Sequence, residues 1–310
     1  MVREISRAGG GSGIDGDAVA LIRRFNRTVT ERVGLLEESF LGRGRPLGAS
    51  RLLWEIGDDG ADLLALRDRL GLDSGYASRL VRRLENEGLV VVETDPRDRR
   101  RRRLRWTAAG RAEAQELDRR SDLATSTVLD RLPARHQQRL LAAAGEVERY
   151  LRATLVDIAV EDPRHGDVVT CFARYAEELD ERFSDGFDAG ISISADPEEL
   201  TPPAGYCVVA RLRGLAVGCA ALKLHGAAPA EVKRMWVDPT SRGLGVGRRL
   251  LERVETLARD HGVTALHLET NRTLTEAINL YRSAGYVKVA PFNDEPYAHH
   301  WFEKKLTPRP

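Results

Sequence analysis

Asp238-Pro239-Thr240-Ser241-Arg242-Gly243-Leu244-Gly245-Val246-Gly247 is the stretch on which the fold of the second half of the chain turns. Ahead of it lies a run with strand composition, Glu231 to Val237. Behind it, Leu250, Leu251, Val254, Leu257 and Ala258 recur at the spacing of one helical face. Strand, glycine-rich turn, helix is an arrangement that binds phosphates. Glycines let the backbone approach the anion, and the unpaired N–H groups of the first helical turn point at it. A dinucleotide site requires Gly-x-Gly-x-x-Gly and an acid ending the next strand, and a nucleotide P-loop requires Gly-Lys followed by Ser or Thr. The spacing here is different, Arg242-x-x-Gly245-x-Gly247.

The flanks extend the pattern. Upstream, residues Phe172 to Phe183 read as a helix. Tyr206 to Arg211 and Leu215 to Leu224 are β-rich runs joined by a turn at Arg213-Gly214. Downstream come a strand, Thr264 to Thr270, then Asn271, a helix from Glu276 to Ser283 ending at Gly285, and two strands, Tyr286 to Ala290 and His299 to Leu306. The helix carries Asn279-Leu280-Tyr281-Arg282-Ser283-Ala284-Gly285-Tyr286. This string and the glycine loop, in that order, resemble the GNAT superfamily of N-acetyltransferases over about residues 168–307. The resemblance implies an α/β (α+β) fold with a mixed, mostly antiparallel sheet, acetyl-CoA as cosubstrate and no metal. It assigns cofactor contacts to Met235, Trp236, Val237, Arg242, Gly243, Leu244, Gly245, Val246, Gly247, Asn271 and Tyr281, with Asn271 on the pantetheine arm.

The chemistry then asks for specific groups. An amine must be neutral before it attacks a thioester, the developing oxyanion needs an N–H donor, and the departing thiolate needs a proton. By resemblance, Tyr281 protonates the sulfur and a backbone N–H near Met235 to Val237 serves the oxyanion. A tyrosine in this position is otherwise a core or interface residue. Glu231 and Glu269 are both candidate bases, although Glu231, at the start of a strand, also reads as a solvated carboxylate. Arg234, Tyr175, Phe187, Tyr297 and His300 are candidates for the acceptor pocket, where an arginine would suit a carboxylate-bearing amine. His299 and His300 are adjacent on a strand, so their side chains point to opposite faces and do not share an ion readily.

The first half carries different signals. Ile22, Phe25, Val29, Val33 and Leu36 mark one face of a helix begun near Asp15; shorter helices follow at Ala49 to Ile56, Ala61 to Leu70 and about Ser74 to Glu87. Short helices joined by a tight turn make a helix-turn-helix. On the last of these, Ala77, Leu80, Val81 and Leu84 face a core. The other side presents Ser74, Gly75, Tyr76, Ser78, Arg79, Arg82 and Asn86, residue types that reach base edges and phosphates in a major groove. Two strands, Leu89 to Glu93 and Leu104 to Trp106, flank a tip with six arginines in the seven positions 97–103. Guanidinium groups there suit phosphates and a narrow minor groove. A solvated charge run usually mixes signs, whereas Asp98 alone interrupts these arginines. Arg97, Arg99, Arg100 and Arg101 complete the DNA-binding set.

Leu84-Glu85-Asn86-Glu87-Gly88-Leu89-Val90, Asp95-Pro96-Arg97-Asp98-Arg99-Arg100 and Trp106-Thr107-Ala108-Ala109-Gly110 together resemble the MarR family of winged-helix regulators over about residues 15–156. Two further helices are expected, Ala108 to Leu132 and Ala134 to Leu155. The resemblance implies that these, with the first helix, form a homodimer that reads a palindromic operator in double-stranded DNA.

Composition agrees with a multidomain chain. Its 310 residues suffice for two domains, and 42% hydrophobic content lets each bury a core. Residues 1–160 hold 29 arginines, no lysine and 25 acidic residues, so the net charge of +1 conceals a basic first half. The expected organisation is a disordered tail at 1–14, a MarR-like domain at 15–156, a linker at 157–167 containing Pro163 and Gly166, and a GNAT domain at 168–307. Cys171, Cys207 and Cys219 show no metal or redox spacing and read as small core residues. No signal-peptide core or run of about 20 apolar residues is present, so a cytoplasmic location without membrane contact is expected. Three functional readings stay open: a regulator that also acetylates a primary amine of a small molecule or peptide, an acetyltransferase whose first domain only dimerises, and a regulator whose second domain senses acetyl-CoA without turnover.

Overall fold

Short acidic and hydroxyl side chains start the helices of the first half by accepting hydrogen bonds from otherwise unpaired N–H groups. In the computed structural model Asp15 caps α1 (Gly16–Arg32), Asp62 caps α3 (Leu63–Leu70), Asp73 caps α4 (Ser74–Asn86) and Thr107 caps α5 (Ala108–Asp130). α2 (Leu47–Ile56) instead follows Pro46. The structure describes residues 15–34, 38–94, 101–193, 195–226 and 229–307, which divide into two units at Pro133. The tail at 1–14 and Leu36 therefore lie outside the described residues.

In the first unit, Leu52, Leu53, Leu66, Leu84, Leu104 and Leu117 are almost wholly excluded from solvent and form the centre of the core. α4 closes on it with Ala77, Leu80, Val81 and Leu84. The wing strands β2 (Val90–Thr94) and β3 (Arg102–Trp106) pair antiparallel. One expectation changes here. Ala61 and Asp62, read as the start of a helix, form a short strand β1 (Ala61–Asp62) that pairs with Leu104 and Arg103. Asp62 has extended backbone angles because it is the cap and not a helical residue. α1 buries none of its residues and displays Ile22, Phe25, Val29 and Val33.

The second unit begins with α6 (Ala134–Ala153). Its sheet contains β4 (Val156–Glu161), β5 (Gly205–Leu212), β6 (Leu215–Lys223), β7 (Ala230–Val237), β8 (Ala265–Thr270), β9 (Val287–Val289) and β10 (His300–Lys305). The order is β4-β5-β6-β7-β8-β10-β9, antiparallel except between β7 and β8. Helices α7 (Gly166–Arg182), α8 (Val246–Asp260) and α9 (Thr275–Ser283) pack on it. All three cysteines are buried in this unit.

The expected linker at 157–167 is corrected. Residues 156–161 are an edge strand in register with Leu212 to Cys207, and α7 already starts at Gly166. The expected boundary at residue 156 moves as well, because α6 groups with the second unit. Arg249 on α8 explains the tie, donating to Ala153 O at 2.9 Å and to Val156 O at 2.8 Å.

Candidate active site and nucleic-acid face

The site forms where β7 and β8 part. The two strands are in parallel register only at Ala230–Leu266 and Glu231–His267. Beyond that point β7 carries a bulge: Lys233 faces Ala221 and Trp236 faces Cys219, leaving two β7 residues against one on β6. Arg234 adopts φ +50° there, a left-handed conformation that redirects the strand. Two hollows adjoin this splay.

The first, about 470 Å³, runs past Met235, Trp236 and Val237 to the glycine loop and the start of α8. Gly243 and Gly245 have φ +79° and +75°, which only glycine adopts without strain. Gly245 leads into α8, so the first-turn N–H groups at Val246, Gly247 and Arg248 face the loop's end of the hollow. A β-carbon on Gly247 would come within 3.1 Å of Leu280. This is a cradle for a pyrophosphate with a channel for a thin, elongated arm, and it fits coenzyme A. Leu244 departs from expectation: it is buried in the core and does not line the hollow.

Glu178 on α7, missed in the sequence, organises this cradle. It accepts from Trp236 Nε1 at 2.9 Å, from Arg242 Nη2 at 2.5 Å and from Arg182 at 3.0 Å. Burial alone would raise its pKa, but the bonds from Arg242, Arg182 and Trp236 outweigh that and hold it below the usual carboxylate range. Its sequence signal was faint, an acid on the polar side of an amphipathic helix.

The second hollow, about 410 Å³, lies over the other end of the splay. Tyr175, Phe187, Arg234 and Tyr297 line it, together with Phe183, Glu269 and Glu295. The two hollows share Tyr175, Leu179, Met235, Leu274, Ala277 and Tyr281, so they meet at the Tyr281 ring. Burial and, secondarily, Glu269 push the Tyr281 phenol well above its ordinary pKa, so it keeps its proton at neutral pH. Tyr175 is raised in the same way, by burial first.

The two candidate bases differ in their surroundings. Lys233 Nζ lies 2.8 Å from Glu231 and 2.5 Å from Glu269. Glu231 also meets His225 at 3.0 Å, and the bonds from Lys233 outweigh its burial to keep it below the ordinary carboxylate pKa. Glu231 is absent from the lining of both hollows. Glu269 is more deeply buried, and that burial raises its pKa in spite of Lys233. Its Oε2 is buried and lacks a hydrogen-bond partner among the described residues. Lys233 was legible in hindsight, since residues two apart on a strand share a face.

Two other expectations are corrected. Asn271 lines the second hollow, and its amide is already engaged: Nδ2 donates to Tyr297 O at 2.8 Å and Oδ1 accepts from Thr273 N at 3.0 Å. It therefore shapes the loop beside the second hollow and does not line the first. His300 lines neither hollow. Alternation along β10 puts it with Phe302, whose ring packs 6.1 Å from Tyr281, on the sheet face opposite Glu269's partner Trp301. Among the described residues no group of three or more His, Cys, Asp or Glu is arranged to hold a metal ion.

With this geometry in place, comparisons with known proteins decide the family. The acetyltransferase (GNAT) family model matches residues 172–286. IAA acetyltransferase of Azospirillum brasilense is 41% identical over 143 residues, covering 46% of this chain and 90% of that protein. The chain belongs to the GNAT acetyltransferase family. The N-alpha-acetyltransferase RimI of Mycobacterium tuberculosis is 39% identical over 94 residues, 29% of this chain and 58% of that one. A GNAT-family acetyltransferase structure from Staphylococcus aureus aligns at 17% identity and a TM-score of 0.43, over 49% of this chain and 99% of its own. The MarR family model matches residues 43–101, so the GNAT acetyltransferase domain is fused to a MarR-like one.

In the MarR-like unit, Ser74, Gly75, Ser78, Arg79, Arg82 and Asn86 are exposed on α4. Tyr76 is half-buried against the core, with the Arg79 guanidinium 5.6 Å from its ring centre. Arg101, on the wing, is exposed and shares a hollow with Ser74 and Ser78. Arg97, Arg99 and Arg100 lie outside the described residues. Arg103 and Arg105 serve the fold, bonding Asp59 O at 2.7 Å and Glu93 at 3.1 Å. No helix among the described residues is long and apolar enough to cross a membrane.

Proposed function

We propose that this GNAT enzyme transfers acetyl from acetyl-CoA to a primary amine of a small molecule or peptide by direct attack, and that its MarR-like domain binds double-stranded DNA as a homodimer. The meeting of the two hollows along residues that include Tyr281, with Glu269 lining the second, carries the catalytic part. When bound, acetyl-CoA supplies an acetyl group activated as a thioester. Arg242, Gly243, Gly245, Val246 and Gly247 hold its pyrophosphate, and Met235 to Val237 offer backbone hydrogen bonds along the splay. One of those N–H groups donates to the carbonyl oxygen as it takes up charge. Glu269, its pKa raised by burial, removes the proton from the incoming ammonium, so the neutral nitrogen bonds to the acetyl carbon as the carbon–sulfur bond breaks. Tyr281 gives its proton to the leaving sulfur and is reprotonated by the second proton, shed by the newly acylated nitrogen, while Glu269 releases the first to solvent. Thiol release from acetyl-CoA with an added amine tests this. Release that is abolished by Glu269→Gln but persists with Glu231→Gln supports the assignment; the reverse overturns it.

The DNA-binding part rests on the exposed Arg79, Arg82 and Asn86 beside a wing rich in arginine. Dimerisation is supported by the uncovered stripe Ile22, Phe25, Val29 and Val33 on α1 and by exposed Leu140, Leu141 and Leu151 on α6, since such apolar faces are normally covered. Fluorescence anisotropy on duplex DNA, with and without Arg79→Ala/Arg82→Ala, tests it. Binding that ignores the double substitution would contradict it.

A further inference from the structure

The acceptor hollow sorts its charges in a way that names a substrate class, an inference that rests on the transfer reading above. Its cations are occupied. Lys233 is held between Glu231 and Glu269. Arg234 donates to Ala195 O at 2.9 Å and lies 4.5 Å over the Phe172 ring, which commits its guanidinium in part to the wall. Glu295 is likewise satisfied, accepting from Ser192 Oγ at 3.0 Å and Ile193 N at 2.6 Å. That leaves Glu269. Its side chain is 9% exposed, it lines the hollow, and its Oε2 is buried without a hydrogen-bond partner among the described residues. A carboxylate oxygen in that condition is a site for an ammonium.

Aromatic rings form one part of the wall, beside small and aliphatic side chains and the polar Ser192, Thr270 and Asn271. Phe183, Phe187 and Tyr297 form a box with ring centres 5.0–6.0 Å apart. The Tyr297 hydroxyl accepts from Asp188 N at 2.8 Å, which pins the box in place. Such a surface favours a ring or a compact apolar body.

We infer that the acceptor is a primary amine on a ring-sized apolar body without a carboxylate, its nitrogen at Glu269 and its body in the Phe183–Phe187–Tyr297 box. An α-carboxylate would find Lys233 already paired with Glu231 and Glu269, and Arg234 engaged by Ala195 O and the Phe172 ring. The expectation that Arg234 recruits a carboxylate is replaced by this reading.

The test uses the full-length protein with acetyl-CoA and three probes: 2-phenylethylamine, L-phenylalanine and 1,4-diaminobutane. 2-Phenylethylamine is expected to exceed L-phenylalanine in kcat/KM by about a hundredfold, the scale set by burying an unpaired charge. Phe187→Ala should raise the KM for 2-phenylethylamine about tenfold with kcat little changed, and Phe187→Tyr should restore it. Equal or better use of L-phenylalanine or 1,4-diaminobutane overturns the substrate class while leaving the transferase reading intact. Calorimetric binding of 2-phenylethylamine that Phe187→Ala weakens, with no turnover of any amine, would overturn the transfer reading and keep the pocket assignment. Neither turnover nor binding of 2-phenylethylamine overturns the substrate class outright.

Discussion

In the proposed mechanism Tyr281 and Glu269 divide the proton traffic between them, and each would leave a distinct kinetic mark. Tyr281→Phe removes the acid and should lower kcat by about a hundredfold or more, with affinity for coenzyme A unchanged by calorimetry. Glu269 accepts a proton only when ionised, and burial raises its pKa. Activity in kcat/KM should therefore fall as pH drops through that raised value, at a pH above the roughly 4.3 of an ordinary glutamate. Glu269→Gln should lose this acidic limb, and persistence of the limb would assign it elsewhere. Glu178→Ala should weaken coenzyme A binding about tenfold through Arg242, a loss of roughly 1.4 kcal/mol, with kcat nearly intact. Tyr281 and the glycines could be picked out as candidates from the string of letters because their placement follows from local backbone and spacing. Glu178 and Glu295 were not, since each reaches across the fold to a partner at least 58 positions away. Asn271 failed for the same reason: its amide was already engaged by Tyr297, 26 residues on.

Helices and strands in this chain are fixed partly by ion pairs that cross between them. Glu113 on α5 is 8% exposed and receives Arg45 at 2.5 Å and Arg43 at 2.5 Å, while Arg45 also reaches Glu87 at 2.8 Å. Hydrogen bonding from Arg43, above all, holds the Glu113 pKa below its ordinary value against the effect of burial. A depressed native pKa means that this stabilisation is complete above the unfolded value, about 4.3, and is lost as pH falls through the native one. Glu113→Gln, which takes the shared anion away from Arg43 and the buried Arg45, should cost about 3–5 kcal/mol near pH 7 in urea unfolding. That difference should shrink in acid. At this scale the sequence was legible wherever a period persisted over a long element. α1, α4 and α8 read directly from their apolar stripes. β4 did not: Val156, Ile158 and Val160 do alternate, but over only six residues and beside Pro163 and Gly166, which read as linker. Its identity comes from pairing with β5, which no local pattern encodes.

The whole molecule joins a MarR-like domain to a GNAT acetyltransferase domain, and each part exposes what a partner would cover. Ile22→Glu with Phe25→Glu on α1 should convert a dimer to a monomer in sedimentation velocity; an unchanged dimer would move the interface elsewhere. If Arg79 and Arg82 bind phosphates, replacing both by alanine should weaken DNA binding and reduce the slope of log affinity against log salt by about 1 for each arginine removed. The most direct measurement of the central claim is thiol release from acetyl-CoA by the full-length protein over a set of primary amines, with Tyr281→Phe alongside. The account predicts steady turnover with at least one amine, strongest for an apolar amine without a carboxylate, and its loss in Tyr281→Phe. Tight coenzyme A binding with no thiol release for any amine, or undiminished turnover in Tyr281→Phe, would contradict it.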